Sequence, residues 1–266
     1  MIETGALGKK VLFLYPPPVL TEIIEELARK EFEVYLVRDH QKARRFLAST
    51  PDSIVFINLD EGLKEPEWER YVRDLRGAES TIGVGVLSLN DDQDLKQKYL
   101  MDIQVPCGYI TLKIGSAKTT EILIKTLEAN EARGRRKFVR ALCAPGSAQC
   151  TGIHKGETLR GEVVDFSVAG MALNLEGGVQ LDAGTILRGF QLAVKGGRVV
   201  GDCIVVAHRE TKKGEAQASE TSGGRRFASY IVMFDPNSLD DNRREKLRSL
   251  VFKVNQASLD KHFETL

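Results

Sequence analysis

Residues 135–140 read RRKFVR, which places Arg135, Arg136 and Arg140 within six positions, and 25 positions after Arg140 the chain reads DFSVAG, an Asp165-x-Ser167-x-x-Gly170 turn at the end of a strand. Arginine presents a planar, permanently charged fork that grips oxyanions bidentately and stacks on flat rings, which a lysine ammonium cannot do. The chemistry this spacing offers is a local anion grip beside a turn with an acidic and a hydroxyl side chain. Each half alone is common. An R-x-x-x-R occurs on many helices and basic linkers, and D-x-S-x-x-G can be an ordinary strand-end turn.

The rest of the composition makes any anion site a local one. Thirty-eight basic residues against 37 acidic leave a formal charge of +1, so no global field holds nucleic acid or an anionic membrane surface. The four cysteines, Cys107, Cys143, Cys150 and Cys203, form no C-x-x-C and follow no signal peptide, which predicts free thiols in a reducing cytoplasm. No run approaches the roughly 20 apolar residues of a membrane helix, so membrane insertion is not expected. Zinc is disfavoured, because Cys143, Cys150 and His154 match no common ligand spacing and need Cys203 or His208 as a fourth ligand. Enzyme chemistry is disfavoured too. The four histidines are scattered, and the glycine-rich stretches lack both a P-loop Lys-Ser/Thr and a G-x-G-x-x-G after the first strand.

The elements that must position these residues fall into two halves. With 266 residues, 42% of them hydrophobic, the chain has enough apolar material for two domains. Up to residue 130, apolar runs alternate with amphipathic stretches. Strands are expected at 10–15, 33–37, 53–59, 81–89 and 108–112. Between them lie helices marked by Ile23, Ile24, Leu27 and Ala28, by Ala43, Phe46 and Leu47, by Trp68, Tyr71, Val72 and Leu75, and by Leu95 and Tyr99. Ser116 is the expected cap of a last helix bearing Ile122, Leu123 and Leu127. Such β-α units predict a doubly wound, five-stranded parallel sheet covered on both faces. From about Arg140 the pattern changes to short strands at 159–166, 170–175, 185–194, 198–210 and 227–234 with glycine-bearing turns, which predicts a small antiparallel barrel. The polar tract 212–226 reads as a loop between the last two strands. Ser238 opens a C-terminal helix with a stripe of Leu247, Leu250, Val251 and Val254.

Over about the first 120 residues this order resembles the response-regulator receiver domain, with only part of its chemistry. Where receivers place metal-binding acids after the first strand, this chain has Tyr15, Pro16, Pro17 and Pro18. Asn58 falls at the phosphoacceptor position with Asp60 two residues on, while Ser88 and Lys113 match the hydroxyl and lysine positions. The resemblance implies a pseudo-receiver, a docking or dimerisation module that is not phosphorylated; Asp60 as a displaced acceptor is the alternative.

Residues 131–266 resemble the PilZ domain, the bacterial receptor module for cyclic di-GMP, through Arg135, Arg136 and Arg140 followed by Asp165, Ser167 and Gly170. That resemblance implies a ligand with two phosphates and two guanines, held by arginines that reach phosphate oxygens or the guanine O6/N7 edge. Asp165 and Ser167 would shape the fixed face and contact guanine, an acidic side chain suiting its N1–H and N2 donors. Gly170 would turn with positive φ and let the ligand approach. The segment 129–141 would serve as linker and ligand clamp, mobile before binding and transmitting it to a protein partner through the N-terminal domain. Gly134 lies where PilZ domains influence whether one ligand or an intercalated pair binds. PilZ receptors in general are linked to motility, surface polysaccharide and virulence control. The expected whole is a cytoplasmic signalling receptor with no metal and no cofactor beyond its ligand, and with a homodimer left open; the alternative is a PilZ-like scaffold that binds no nucleotide.

Overall fold

Five runs that bury most of their side chains become one parallel sheet: β1 (Lys10–Leu14), β2 (Glu33–Val37), β3 (Ile54–Asn58), β4 (Gly83–Ser88) and β5 (Tyr109–Thr111), in the order β2-β1-β3-β4-β5. The computed structural model describes residues 8–77, 80–134, 136–208 and 227–265. The helices between the strands are α1 (Thr21–Arg29), α2 (His40–Ser49), α3 (Glu65–Leu75), α4 (Gln93–Gln97) and α5 (Ser116–Ala129). The strand order 2-1-3-4-5 is that of doubly wound sheets whose switch point lies between β1 and β3, and it makes this half receiver-like. Apolar spacing located α1, α2, α3 and α5 because each buries a row of side chains, Trp68 and Val72 among them with no exposed surface, whereas α4 buries none of its own.

Two helix ends depart from expectation. Ser116 is the first helical residue and not the cap; Gly115 stands at the N-cap with φ 93°, and no side chain caps α5. The helix expected through Leu95 and Tyr99 ends at Gln97 and passes into a π-turn, Lys98–Asp102. Lys98 is held there by Glu65 at 2.8 Å and Glu69 at 2.5 Å, and Tyr99 is fully buried.

The second half is a closed six-strand antiparallel barrel, as expected, with one strand more than the sequence suggested. Its strands are β7 (Ala148–His154), β8 (Glu157–Phe166), β9 (Gly170–Glu176), β10 (Ile186–Val194), β11 (Gly197–His208) and β12 (Phe227–Phe234). They run β8-β7-β10-β11-β12-β9, and β9 pairs back onto β8 to close the ring; the short β6 (Ala141–Leu142) adds to β8 from outside. Phe166, Leu187, Phe190 and Leu192 fill the barrel with no exposed surface. Tyr230 accepts from Leu181 N at 3.0 Å and donates to Val179 O at 2.6 Å, which fastens the connection after β9. The tract 212–226 lies outside the described residues. The C-terminal helix, α6 (Asp241–Thr265), starts three residues later than expected, because Ser238 ends a preceding 3-10 turn. Asp240 Oδ1 accepts from Arg243 N at 2.7 Å in the capping geometry.

The chain divides into Met1–Lys137 with Leu259–Leu266, and Phe138–Ser258, whereas a boundary at 130 was expected. Residues just past α5 still belong to the first half for a physical reason. Ala132 is buried and its carbonyl accepts from Lys9 N at 2.9 Å, and the Arg133 guanidinium lies 4.7 Å over the Phe32 ring. Leu259 is likewise buried in the first core, with the Phe263 ring 6.2 Å from that of Phe46. Within the segment 129–141, Ala132 and Ala141 are both buried.

All four cysteines are free, as expected. Burial pushes the thiols of Cys150 and Cys203 up to about 12 and those of Cys107 and Cys143 up to about 11. They stay neutral in the fold through a range where the unfolded chain, near the ordinary value of 9.0, releases its protons. Stability therefore falls as pH rises from 9 toward 12. Urea midpoints should drop between about pH 7 and about pH 10, and drop less in a Cys150→Ala/Cys203→Ala variant. An equal drop in both proteins would remove the Cys150 and Cys203 thiols as its cause.

Candidate functional site

In the receiver-like half, the crevice at the carboxyl ends of β1 and β3 is filled. Tyr15 takes φ 54° just after β1, and its hydroxyl lies 3.1 Å from His40 Nδ1. Asn58, the last residue of β3 and 2% exposed, donates from Nδ2 to the Tyr15 carbonyl at 2.9 Å. Trp68 and Tyr71 pack edge-on around Tyr15 and His40. Asp60 is engaged at both oxygens: Oδ1 accepts from Ser88 Oγ and Asn90 Nδ2, each at 3.0 Å, and Oδ2 accepts from Leu89 N at 2.5 Å. Lys113 is exposed on a 3-10 turn after β5. Among the described residues, no three His, Cys, Asp or Glu side chains are grouped to hold a metal ion, the Cys143, Cys150 and His154 set included.

The Asp60 carboxylate thus works as a staple between the loops after β3 and β4. Asp60→Ala should lower stability by about 1 kcal/mol, since Leu89 N and Ser88 Oγ lose their acceptor at a partly solvated site. Incubation with a small phosphodonor should add no phosphate, and mass spectrometry reads that outcome directly. A phosphorylated Asp60 would restore the displaced-acceptor alternative.

The other candidate site is built on the end of β8. Leu159, Gly161 and Val163 point into the barrel, at odd positions. A bulge between Val163 and Asp165 then adds one residue against β9, after which Phe166 points inward. A one-residue slip moves every later side chain to the opposite face. The bulge is what turns Asp165 outward, where continued alternation would have buried its carboxylate.

β6 lies alongside this end, with Ala141 opposite Phe166 and Leu142 opposite Asp165. Arg140 precedes β6, and its Nη1 donates to Asp165 Oδ1 at 3.1 Å, with side-chain exposures of 46% and 16%. Residues from the two sequence motifs are therefore in contact. Ser167 is 3% exposed and serves the turn: its N donates to the Gly170 carbonyl at 2.8 Å, and its Oγ accepts from Ala169 N at 3.2 Å. Gly170 does not take the positive φ expected of it. A Cβ there would lie 2.2 Å from the Val232 carbonyl oxygen and 2.9 Å from Met233 Cα, so glycine is required by the close approach of β12. Arg136 is exposed and falls within the first of the two units, and Arg135 lies outside the described residues.

A closed six-strand barrel whose strand-end Asp-x-Ser-x-x-Gly turn meets an upstream arginine defines a PilZ domain. The family model described as PilZ domain matches residues 134–253, and that part of the chain is a PilZ domain. Among solved structures, the PilZ domain of YcgR from Escherichia coli, with c-di-GMP, is similar at 17% identity and a TM-score of 0.40, covering 48% of this chain and 97% of that one. The K. pneumonia MrkH–c-di-GMP complex is similar at 21% identity and a TM-score of 0.38, covering 49% of this chain and 57% of that one. The signal receiver domain of an HD domain-containing protein from Pseudomonas fluorescens Pf-5 is similar at 15% identity and a TM-score of 0.38, covering 46% and 97%. Among curated proteins the comparison finds no match. Among the described residues, no helix is long and apolar enough to cross a membrane.

Proposed function

We propose that the chain is a cyclic-di-GMP receptor, which binds its ligand on the barrel face made by Arg140, Asp165, Ser167 and Gly170, with Arg135 and Arg136 supplying further charged forks from upstream. The observation that carries this reading is the Arg140–Asp165 contact beside the Ser167–Gly170 turn. Its chemistry fits the two halves of such a ligand. A guanidinium half open to solvent suits phosphate oxygens or the O6/N7 edge of guanine, and an outward carboxylate suits the N1–H and N2 donors. The YcgR and MrkH structures are of proteins with the same ligand. The receiver-like half serves as a docking or dimerisation module for a protein partner in the cytoplasm, a role in keeping with a switch-point crevice filled by aromatic side chains. Ligand binding reaches that module through the residues around Arg136.

Isothermal titration calorimetry of the full chain with cyclic di-GMP, beside GTP and GMP at two salt concentrations, tests the reading. Selective binding that weakens with salt supports it, and the titration also gives the stoichiometry. Absence of heat and of competition would leave a scaffold that works through protein contacts alone.

A further inference from the structure

On α6, Leu247, Leu250 and Val251 are buried in the barrel core and Val254 packs beside them. Eight positions after Leu247 the same stripe carries Asn255, an amide where the helical spacing calls for an apolar side chain. Asn255 is only 9% exposed. A buried amide is costly unless it is hydrogen-bonded, so its partner is informative. That partner is the main-chain carbonyl of Arg140, which accepts from Asn255 Nδ2 at 3.2 Å across 115 residues of sequence. The next residue, Ala141, is fixed by its pairing opposite Phe166. With the carbonyl held on one side and β6 continuing beyond it, the direction in which the Arg140 side chain leaves the backbone is set. It leaves toward Asp165.

We propose that Asn255 is a positioning residue for Arg140: the last helix holds the arginine's backbone so that its guanidinium stands over the Asp165 face before any ligand arrives. This rests on the reading of that face as the cyclic-di-GMP site. Neither sequence motif contains Asn255, and its hydrogen bond to Arg140 goes to the main chain. The helix that closes the barrel thereby contributes to ligand affinity without reaching the ligand.

Calorimetry on the full chain compares the parent protein with Asn255→Ala, Arg140→Ala and the double variant. Asn255→Ala should weaken cyclic di-GMP about tenfold, or about 1.4 kcal/mol, and the double variant should bind no more weakly than Arg140→Ala. Asn255→Asp keeps the side chain's shape but removes the donor, so it should lose as much as Asn255→Ala while α6 stays folded by circular dichroism. Unchanged affinity in Asn255→Ala would overturn the proposal, and so would a loss that simply adds to that of Arg140→Ala. A second arm needs no ligand. In arginine-labelled protein, the Arg140 Nε–Hε resonance, assigned by its disappearance in Arg140→Ala, should move toward the position of free arginine in Asn255→Ala. If that resonance stays in place, the proposal fails; if it moves while the parent protein binds no nucleotide, only the receptor reading fails.

Discussion

Arg140→Ala should weaken cyclic di-GMP binding about 30-fold, or about 2 kcal/mol, while leaving folding stability almost unchanged. The two halves of that expectation have different physical origins. In the free protein Arg140 meets Asp165 with its side chain 46% exposed, and such a pair contributes about 0–1 kcal/mol because water screens it. Against a bound phosphate or guanine edge the same fork makes charge-assisted bonds away from water, which are roughly twice as strong as neutral ones. Arg140→Lys should fall between the parent and Arg140→Ala, since a point charge survives but the bidentate geometry does not. Calorimetry gives the affinity and urea denaturation the stability. A variant that binds with parental affinity would remove Arg140 from the site, and a variant that unfolds easily would make the Asp165 contact a structural one.

Much of this arrangement was legible in the sequence, and each exception has its own physical cause. The parallel strands of the first half carry unbroken apolar runs such as VYLV within EVYLV, and β2 spans those five residues, Glu33–Val37. β7 went unseen because its alternation is carried by small residues: Ala148, Cys150 and Gly152 point inward, and none is β-branched or aromatic. The bulge in β8 was hidden for the opposite reason. Val163 and Val164 are both apolar, so the run VVDF reads equally well with or without the slip that turns Asp165 outward. Spacing marked both motifs but could not show that Arg140 reaches Asp165, because a contact across 25 residues depends on β6 folding back along β8. Asn255 carried a weak signal, an amide on an apolar stripe, whose partner only the tertiary fold reveals.

Gly170→Ala should destabilise the barrel by about 3 kcal/mol, the upper range for forcing an extra carbon into a packed site. The new Cβ meets main-chain atoms, the Val232 carbonyl at 2.2 Å and Met233 Cα at 2.9 Å, and no rotamer change can move them aside. Relief requires β12 to withdraw from β9, at the seam where Gly170 stands opposite Met233. Gly177 provides the comparison. It takes φ 81°, and a Cβ added there would find nothing within 4 Å, so Gly177→Ala bears only the left-handed backbone penalty of about 1 kcal/mol. The contrast separates two roles that the Asp-x-Ser-x-x-Gly spacing confounds. If Gly170 kept space clear for ligand, Gly170→Ala would fold as stably as the parent and lose affinity alone. If it lets β12 approach β9, stability falls first. Affinity then follows, because the Ser167 N–H is bonded to the Gly170 carbonyl and the turn shifts with the strand. Urea denaturation beside ligand titration distinguishes the two, and a fully stable Gly170→Ala protein would return the glycine to the ligand.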